Sequence, residues 1–592
     1  MATLHFSPRP NRASEIRWRP WGAEAFAQAQ AEGKPLLLAI SAVWCHWCHV
    51  MDETSYSDPG VIELINERFV PVRVDNDQRP DVNARYNMGG WPSTAILSPE
   101  GEILRGGTYL PPENMLPFLQ QVSDLYADPA NRLEFARRIA EVKAKRAAAK
   151  SEPSGALDSN APAAVVEAAS EAFDDDFGGF GSEPKFPHVD LLHLLLDVYA
   201  RSGGGRVQTM VQMTLRGMAG GGMYDHVEGG FFRYSTTRDF SVPHFEKMLE
   251  DLCGELHACA RASVLFGDEA LGRIAIDTKR YMDAVLWQPS RHGYGGSQDA
   301  DETYYGLGKD GRANAEAPYV DPIIYTSWNA QAALALIESG PLLGEQGLDA
   351  HEWTARGLEI LDMLWSTMLV DGLMTRFFDG APQVRGLLGD QAWSAWAALG
   401  ALGATGDRKW LDRAAALMKA IDPLYDDASE TYRDRLAEDD PGRLADPVAP
   451  LPENALVARV LLALAAISGD EQAAVRASSL LARLAKAASR VGIFGATYAS
   501  AVLDLEDPPF DIKMEGDALD ARAREMRDQL ARIASPPLRI VPAQPADAET
   551  HAASSCNGAP LALVCRKSTC FARASDAAEV LAAIARARSA AP

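Results

Sequence analysis

The spacing of apolar positions changes character three times along the chain. In the first 125 residues, short apolar runs alternate with amphipathic stretches. Pro35–Val43 (PLLLAISAV) and Phe69–Asp75 (FVPVRVD) have strand length and strand composition, and Thr94–Ser98 with Ile103–Thr108 reads as a hairpin about Pro99-Glu100-Gly101. Glu24–Ala31, Cys48–Tyr56 and Pro59–Arg68 carry helical spacing. Strands alternating with helices predict a sheet with covering helices. Residues 126–160 predict a helix and then a polar linker, the segment KRAAAKSEPSGALDSN at 145–160.

From 161 to 507 the period is helical throughout, with twelve predicted segments from Pro162–Phe173 to Ala496–Leu505. Among them are Val242–Phe266, Leu271–Trp287, Thr326–Leu336 and Glu352–Leu369. Gly267-Asp268, Gly406-Asp407 and Gly469-Asp470 predict tight joints, where Gly ends one helix in the left-handed region and Asp caps the next. Around Gly469, Ala455–Ile467 is apolar nearly all round, whereas Glu471–Ala487 is amphipathic, as inner and outer partners of a hairpin should be. Twelve such helices can close into an (α/α)6 barrel. Residues 508–592 return to strand-like runs (Phe510–Lys513, Leu538–Val541, Leu561–Val564) with helices at Asp517–Ile533 and Asp576–Ala587, a small α/β lobe. The fold class is therefore multidomain, α/β plus all-α.

Charge and cysteine usage narrow the chemistry. A net charge of −24 over 592 residues opposes nucleic-acid binding, because phosphate backbones select basic faces. No run of 18 apolar residues predicts a membrane span, and the N-terminus lacks the apolar core of a secretory signal. The expectation is a cytoplasmic protein with mostly reduced thiols. Seven cysteines are too few for a disulfide scaffold, so a closely spaced pair is a candidate for chemistry.

Trp44-Cys45-His46-Trp47-Cys48-His49 is such a pair, placed where a predicted strand meets a helix. Unpaired N–H groups at a helix N-terminus favour a thiolate, and two histidines add positive charge. Cys45 is expected to be the exposed nucleophile and Cys48 the resolving thiol. The same residues leave open c-type haem attachment through C-x-x-C-H, zinc binding with ligands from elsewhere, and a fold whose cysteines do no redox work. The motif resembles the thioredoxin superfamily. That resemblance implies a cis-proline at Pro92, in Gly90-Trp91-Pro92, beside the cysteines.

Longer motifs follow in one order: RWRPW (Arg17–Trp21), CHWCHVM (Cys45–Met51), GGWPST (Gly89–Thr94), GGTYLPP (Gly106–Pro112), PKFP (Pro184–Pro187), GGMYDHVEGGFFRYS (Gly221–Ser235), VPHFEKMLED (Val242–Asp251), QDADE (Gln298–Glu302) and TSWNA (Thr326–Ala330). Together they resemble the spermatogenesis-associated protein 20 family, also called DUF255 or YyaL-like proteins. The resemblance implies a thioredoxin-like domain (1–125), a helix and linker (126–160), a six-hairpin glycosidase-like barrel (161–507) and a C-terminal lobe (508–592). It implies redox and sugar-related roles in parallel.

A sugar site needs acids, bases and aromatic platforms. The barrel candidates are Asp225, His226, His244, Glu246, Asp299 and Asp301, with Tyr224, Arg233, Tyr234, Trp328 and Asn329 as ligand contacts. His244, Glu246 and Lys247 are expected at a helix start. Phe232, Gln298, Gly389 and Gln391 on either side of a retained Asp390, and Pro452-Glu453-Asn454 depart from the usual family pattern. The favoured function is thiol–disulfide chemistry at Cys45, Cys48 and Pro92, with a barrel that binds a thiol or disulfide protein partner or a carbohydrate-like ligand. A carbohydrate epimerase or hydrolase and a non-catalytic scaffold are the alternatives. No cofactor and no metal are expected. Cys565 and Cys570, with Cys556 nearby, are a candidate relay for Cys45 and Cys48.

Overall fold

The computed structural model describes residues 4–149, 155–346, 349–436, 440–516, 518, 520–543, 562–567 and 569–590. In the N-terminal domain, strands β1 (Leu36–Ser41), β2 (Val70–Asp75), β3 (Ser93–Leu97) and β4 (Ile103–Gly107) form one sheet in the order β2-β1-β3-β4. β1 runs parallel to β2 and antiparallel to β3. The alternation of β1 divides the apolar interior. Leu37 and Ala39 join a cluster with Met51, Ile65 and Leu119, while Leu36, Leu38 and Ile40 join one with Phe26, Val72 and Tyr86. The predicted strands and the helix Pro59–Arg68 stand where the apolar runs put them. Helices Pro80–Tyr86 and Pro112–Ala127 lay outside the sequence prediction, and the helix Pro129–Ala149 extends into the stretch read as linker.

The central domain is an (α/α)6 barrel. Six inner helices, Val189–Ser202, Leu249–Phe266, Thr326–Leu343, Leu388–Thr405, Leu451–Ser468 and Ala496–Glu506, contact one another in that order, and the last returns to the first. The outer helices are Ala161–Ala172, Gly205–Gly220, Glu269–Tyr281, Ala350–Met363, Lys409–Ala420 and Glu471–Ala488. Gly267, Gly406 and Gly469 end their helices in the left-handed region, at φ +66°, +70° and +76°. Asp407 and Asp470 then accept backbone N–H groups of the next helix, but Asp268 turns its carboxylate to Gln212 and Arg216 instead. Leu451–Ser468 is long and apolar enough to cross a membrane by length and composition, and here it is an inner wall of the barrel.

One predicted boundary moves in a way that matters. Helix Leu249–Phe266 begins seven residues later than the pattern suggested, and Pro243–His244 and Lys247–Met248 are short strands. His244, Glu246 and Lys247 therefore lie in extended chain, not at a helix start. Loops that precede the inner helices gather at one end of the barrel, and the thioredoxin-like domain sits on that end.

The C-terminal lobe holds β5 (Phe510–Met514), β6 (Leu538–Pro542), β7 (Ala562–Arg566) and β8 (Thr569–Ala574) in the order β6-β5-β7-β8. β5 and β6 are parallel and joined through the helix Ala521–Ala531; β7 and β8 are antiparallel and followed by the helix Ala577–Ala590. This repeats the strand order of the N-terminal sheet. β8 lay outside the sequence prediction, as did the long barrel strand Leu373–Phe378. Cys556 lies outside the described residues.

Candidate functional site

Cys45 and Cys48 form a disulfide at the end of β1. Cys45 is the N-cap of the helix His46–Glu53, and its Sγ accepts the Cys48 N–H at 3.2 Å. Trp91–Pro92 is cis. The neighbours come from both domains. Trp44 Nε1 donates to Asp77 Oδ2 at 2.7 Å, and the Asp77 carbonyl accepts from Arg376 of the barrel at 2.8 Å. The Arg233 guanidinium lies 4.1 Å from the Trp44 ring centre and 5.4 Å from that of Trp91.

This docking overturns one expectation. Cys45 is only 4% exposed and Cys48 2%, because the barrel mouth covers the end of the sheet. Ala42, Trp44 and both cysteines belong to the same apolar cluster as the barrel core. Sequence reasoning placed the thiol at an exposed strand end; no local signal reports what a distant loop lays over it. Further ties fix the two domains together. Arg85 grips Asp434 with both terminal nitrogens, Arg443 bonds Glu102, Arg435 reaches Asp81, and Leu444 packs into the thioredoxin-side cluster. Gly101 and Gly442 meet backbone to backbone, both at positive φ, and a Cβ on Gly101 would stand 2.3 Å from Gly442 Cα.

The barrel candidates of the mouth do not converge on one cavity. Asp225 accepts from buried Lys247 at 2.7 Å and from Arg312 at 2.6 Å. Burial pushes Asp225 up, but the two cations outweigh it and hold the carboxylate below its usual range. Burial lowers Lys247 to about 8 against the pull of Asp225. This triad is a structural lock. His226 is exposed and contacts the Gly221 carbonyl, and His244 pairs with buried Glu246. Asp301 caps the short helix Glu302–Tyr305. Asn329 ties the Tyr294 backbone to Tyr325, and Tyr234 stacks between Phe186 and His244. Tyr224 packs edge-on to Phe231. A free sugar site built from these residues is therefore not present at the mouth.

Asp299 instead faces the helix His46–Glu53, with Oδ2 3.3 Å from Nδ1 of His49. Both are buried. Burial pushes Asp299 up to about 8 and His49 down to about 3, the latter helped by His5, Arg73 and His46. Near neutral pH the contact is thus a protonated carboxyl against a neutral imidazole.

Of the predicted ligand contacts, Trp328 lines a large cavity in the barrel lumen, 1680 Å³ in volume. Sequence reasoning missed its other polar groups: Asp190, His193, Glu250 and His257, because a charged residue on a helix reads as solvent-facing, and Arg376, because its strand Leu373–Phe378 was not predicted. Asp390, the one residue kept from the usual family pattern at 389–391, and Glu453, a departure from that pattern, line it too.

The relay fails on position. Cys565 and Cys570 are joined to each other across β7–β8. Their lobe packs on the C-terminal ends of the inner helices, where Ser535 bonds the Ala200 carbonyl and Arg566 reaches Asp507. The Cys45–Cys48 disulfide sits on the opposite end. Inner helices of 18 residues separate the two, and such a helix is about 27 Å long. A disulfide needs Cα atoms about 4.4–6.8 Å apart, so exchange within one docked chain is excluded.

Residues 9–143 match a thioredoxin-like DsbH family model, described as "Protein of unknown function, DUF255". The chain is similar to spermatogenesis-associated protein 20. The human protein of that name is 36% identical over 310 residues, 48% of this chain and 39% of the human one, so the match spans well under half of the relative's length. The thiol:disulfide interchange protein DsbD of Pseudomonas fluorescens is 31% identical over 84 residues, 14% of each chain. Among solved structures, cellobiose 2-epimerase from Spirochaeta thermophila aligns with a TM-score of 0.48 at 13% identity, over 59% of this chain and 94% of that one.

Proposed function

We propose that the protein carries out thiol–disulfide exchange at Cys45 and Cys48, and that its barrel covers the redox centre and binds a ligand or partner. The observation that carries the reading is the cap: Cys45 Sγ receives the Cys48 N–H at the start of a helix, an arrangement that stabilises a thiolate at that sulfur. The local match to a thiol:disulfide interchange protein supports it. In the reduced protein the Cys45 thiolate attacks one sulfur of a partner disulfide and forms a mixed disulfide, and the other partner sulfur leaves as a thiolate. Cys48 then gives up its proton and attacks Cys45 Sγ. The partner departs with two electrons, and the protein is left with the Cys45–Cys48 bond. Because the mouth buries both sulfurs, a polypeptide partner reaches Cys45 only when the domain contact opens.

The test is trapping. Cys48→Ser should accumulate Cys45 mixed disulfides, detected by non-reducing electrophoresis and peptide mass spectrometry, and Cys45→Ser should accumulate none. A Cys45 that alkylates no faster than Cys253 and Cys259 in the reduced protein counts against the reading. Burial pushes those two thiols far up, which sets a slow reference.

A further inference from the structure

The disulfide of the C-terminal lobe has no part in the function proposed above, and distance excludes its exchange with Cys45 and Cys48 of the same docked chain. Its position suits it to that chemistry between chains.

β8 is an edge of the lobe sheet, with β7 as its one strand partner among the described residues. The barrel helix Leu388–Thr405 packs on β6, at the other edge. The unpaired side of β8 offers backbone N–H and C=O groups to an incoming chain. Cys570 stands on this strand and is half-buried, whereas Cys565, on β7, is 1% exposed. An attacking thiolate therefore meets Cys570 Sγ, and Cys565 is the sulfur that leaves.

The hairpin Cys565–Ala574 holds Arg566, Lys567 and Arg573 and no acid. The whole lobe, 508–592, has 11 Lys and Arg against 10 Asp and Glu, so the net charge of −24 resides in the rest of the chain. The loop beside the Cys45 helix has the opposite character. Gln298–Glu302 carries Asp299, Asp301 and Glu302, and the exposed Glu302 lies 3.7 Å from Nδ1 of His46. Opposite charges of this kind speed the encounter of two proteins.

Each side also presents an aromatic ring to solvent. Phe571, next to Cys570, is 41% exposed. Trp47, between Cys45 and Cys48, is 49% exposed, with its ring 5.1 Å from that of Tyr109. Burying these rings against one another brings together the residues that flank the two sulfurs.

We propose that the lobe disulfide Cys565–Cys570 is a substrate of the Cys45–Cys48 dithiol of a second copy of this chain. The step rests on the thiol chemistry proposed above. Once the domain contact of one copy opens, its Cys45 thiolate attacks Cys570 Sγ of the other. An intermolecular Cys45–Cys570 bond forms, the Cys565–Cys570 bond breaks, and Cys565 leaves as a thiolate. Cys48 then loses its proton and attacks Cys45 Sγ, which releases Cys570. Two electrons pass between the copies. The first ends with its Cys45–Cys48 disulfide and the second with two reduced lobe cysteines, one of which takes up the proton that Cys48 lost.

The test mixes two full-length chains. The donor is reduced Cys48→Ser that also carries Cys565→Ser and Cys570→Ser. The acceptor is isotope-labelled, oxidised at Cys565–Cys570, and carries Cys45→Ser and Cys48→Ser. Peptide mass spectrometry should find a Cys45–Cys570 bond between a donor and an acceptor peptide. Lys567→Glu and Phe571→Ala in the acceptor change exposed side chains. Each should slow formation of the bond about threefold or more, with the rate of reduction by dithiothreitol unchanged. A donor adduct with insulin and none with the acceptor overturns the proposal and leaves the function above standing; no adduct with either overturns both. A bond through Cys556 or Cys565 in place of Cys570 also overturns it. So do rates, relative to dithiothreitol, that both variants leave unchanged, and reduction of the lobe disulfide by a separate thioredoxin but not by a second copy.

Discussion

The two small domains share one plan and use it differently. Each has a parallel pair joined through helix, then an antiparallel hairpin and a final helix, with sheet orders β2-β1-β3-β4 and β6-β5-β7-β8. Both hairpins carry a register shift, between Ile96 and Leu97 and between Val564 and Cys565. In sequence, Gly90-Trp91-Pro92 precedes β3 and Gly558-Ala559-Pro560 precedes β7. The C-terminal lobe is thus built on the strand order of the thioredoxin-like domain. The cysteines are what differ. In the first domain they bracket a helix N-terminus; in the second they bridge two neighbouring strands, and Glu515 to Asp520 between β5 and its helix contain no cysteine. The topology is shared; what sets the first domain apart is a sulfur at the positive end of a helix.

The sharpest way to break that distinction is to remove one sulfur from each domain. Cys45→Ser should lower reduction of insulin disulfides by about a thousandfold, since the thiolate is the nucleophile. Cys565→Ser should change the rate by less than about twofold. Equal losses would mean that the two disulfides are functionally alike.

The barrel contact comes next. Arg85→Ala leaves Asp434 without its guanidinium in a mostly buried interface, a change worth about 3 kcal/mol or more. The domain contact should open more often, and reduction of Cys45–Cys48 by dithiothreitol should accelerate tenfold or more (about 1.4 kcal/mol per decade). Cys565–Cys570, on the other end of the barrel, should keep its rate. Quantitative thiol mapping by mass spectrometry follows both in one sample.

A pH profile tests the contact between Asp299 and His49. Unfolded Asp ionises near 4, whereas Asp299 keeps its proton to about 8. The folded state then binds the extra proton between those values, so its stability falls as pH rises through them. His49 acts oppositely. Its folded value of about 3 lies below the unfolded 6.5, so its contribution rises with pH over that window. Above pH 6.5 only the Asp299 effect remains, amounting to about 2 kcal/mol by pH 8. Asp299→Asn should flatten that fall in denaturant titrations of the docked chain, and an unchanged slope would place the titration elsewhere.

The smallest expected effect belongs to Arg233→Ala. It removes a cation–π contact on Trp44, worth about 0.5–1 kcal/mol, and should speed reduction of Cys45–Cys48 about threefold. No change would mean that Arg233 does not help hold the mouth closed.

How far the sequence carries this protein depends on the range of the interaction concerned. The strands of the first domain, the helix Pro59–Arg68 and the αL glycines between barrel helices were legible because local propensity and short-range periodicity decide them. The cysteine pair was legible for the same reason, since a strand-to-helix junction is a local event. The helix beginning at Leu249 was misplaced because His244 to Met248 is drawn into extended pairing with Tyr234 and Gln298, partners with no local signature. The mouth acids were misjudged likewise: Asp225 looks free in sequence, and only the fold brings Lys247 and Arg312 onto it. What the sequence by itself determined is the set of elements and the chemistry each one carries. Tertiary structure alone decided which sulfurs are covered, which acids are already neutralised, and which helical charges face a lumen rather than water. Those outcomes depend on burial and charge pairing between residues far apart in the chain, and neither has a period that a sequence can display.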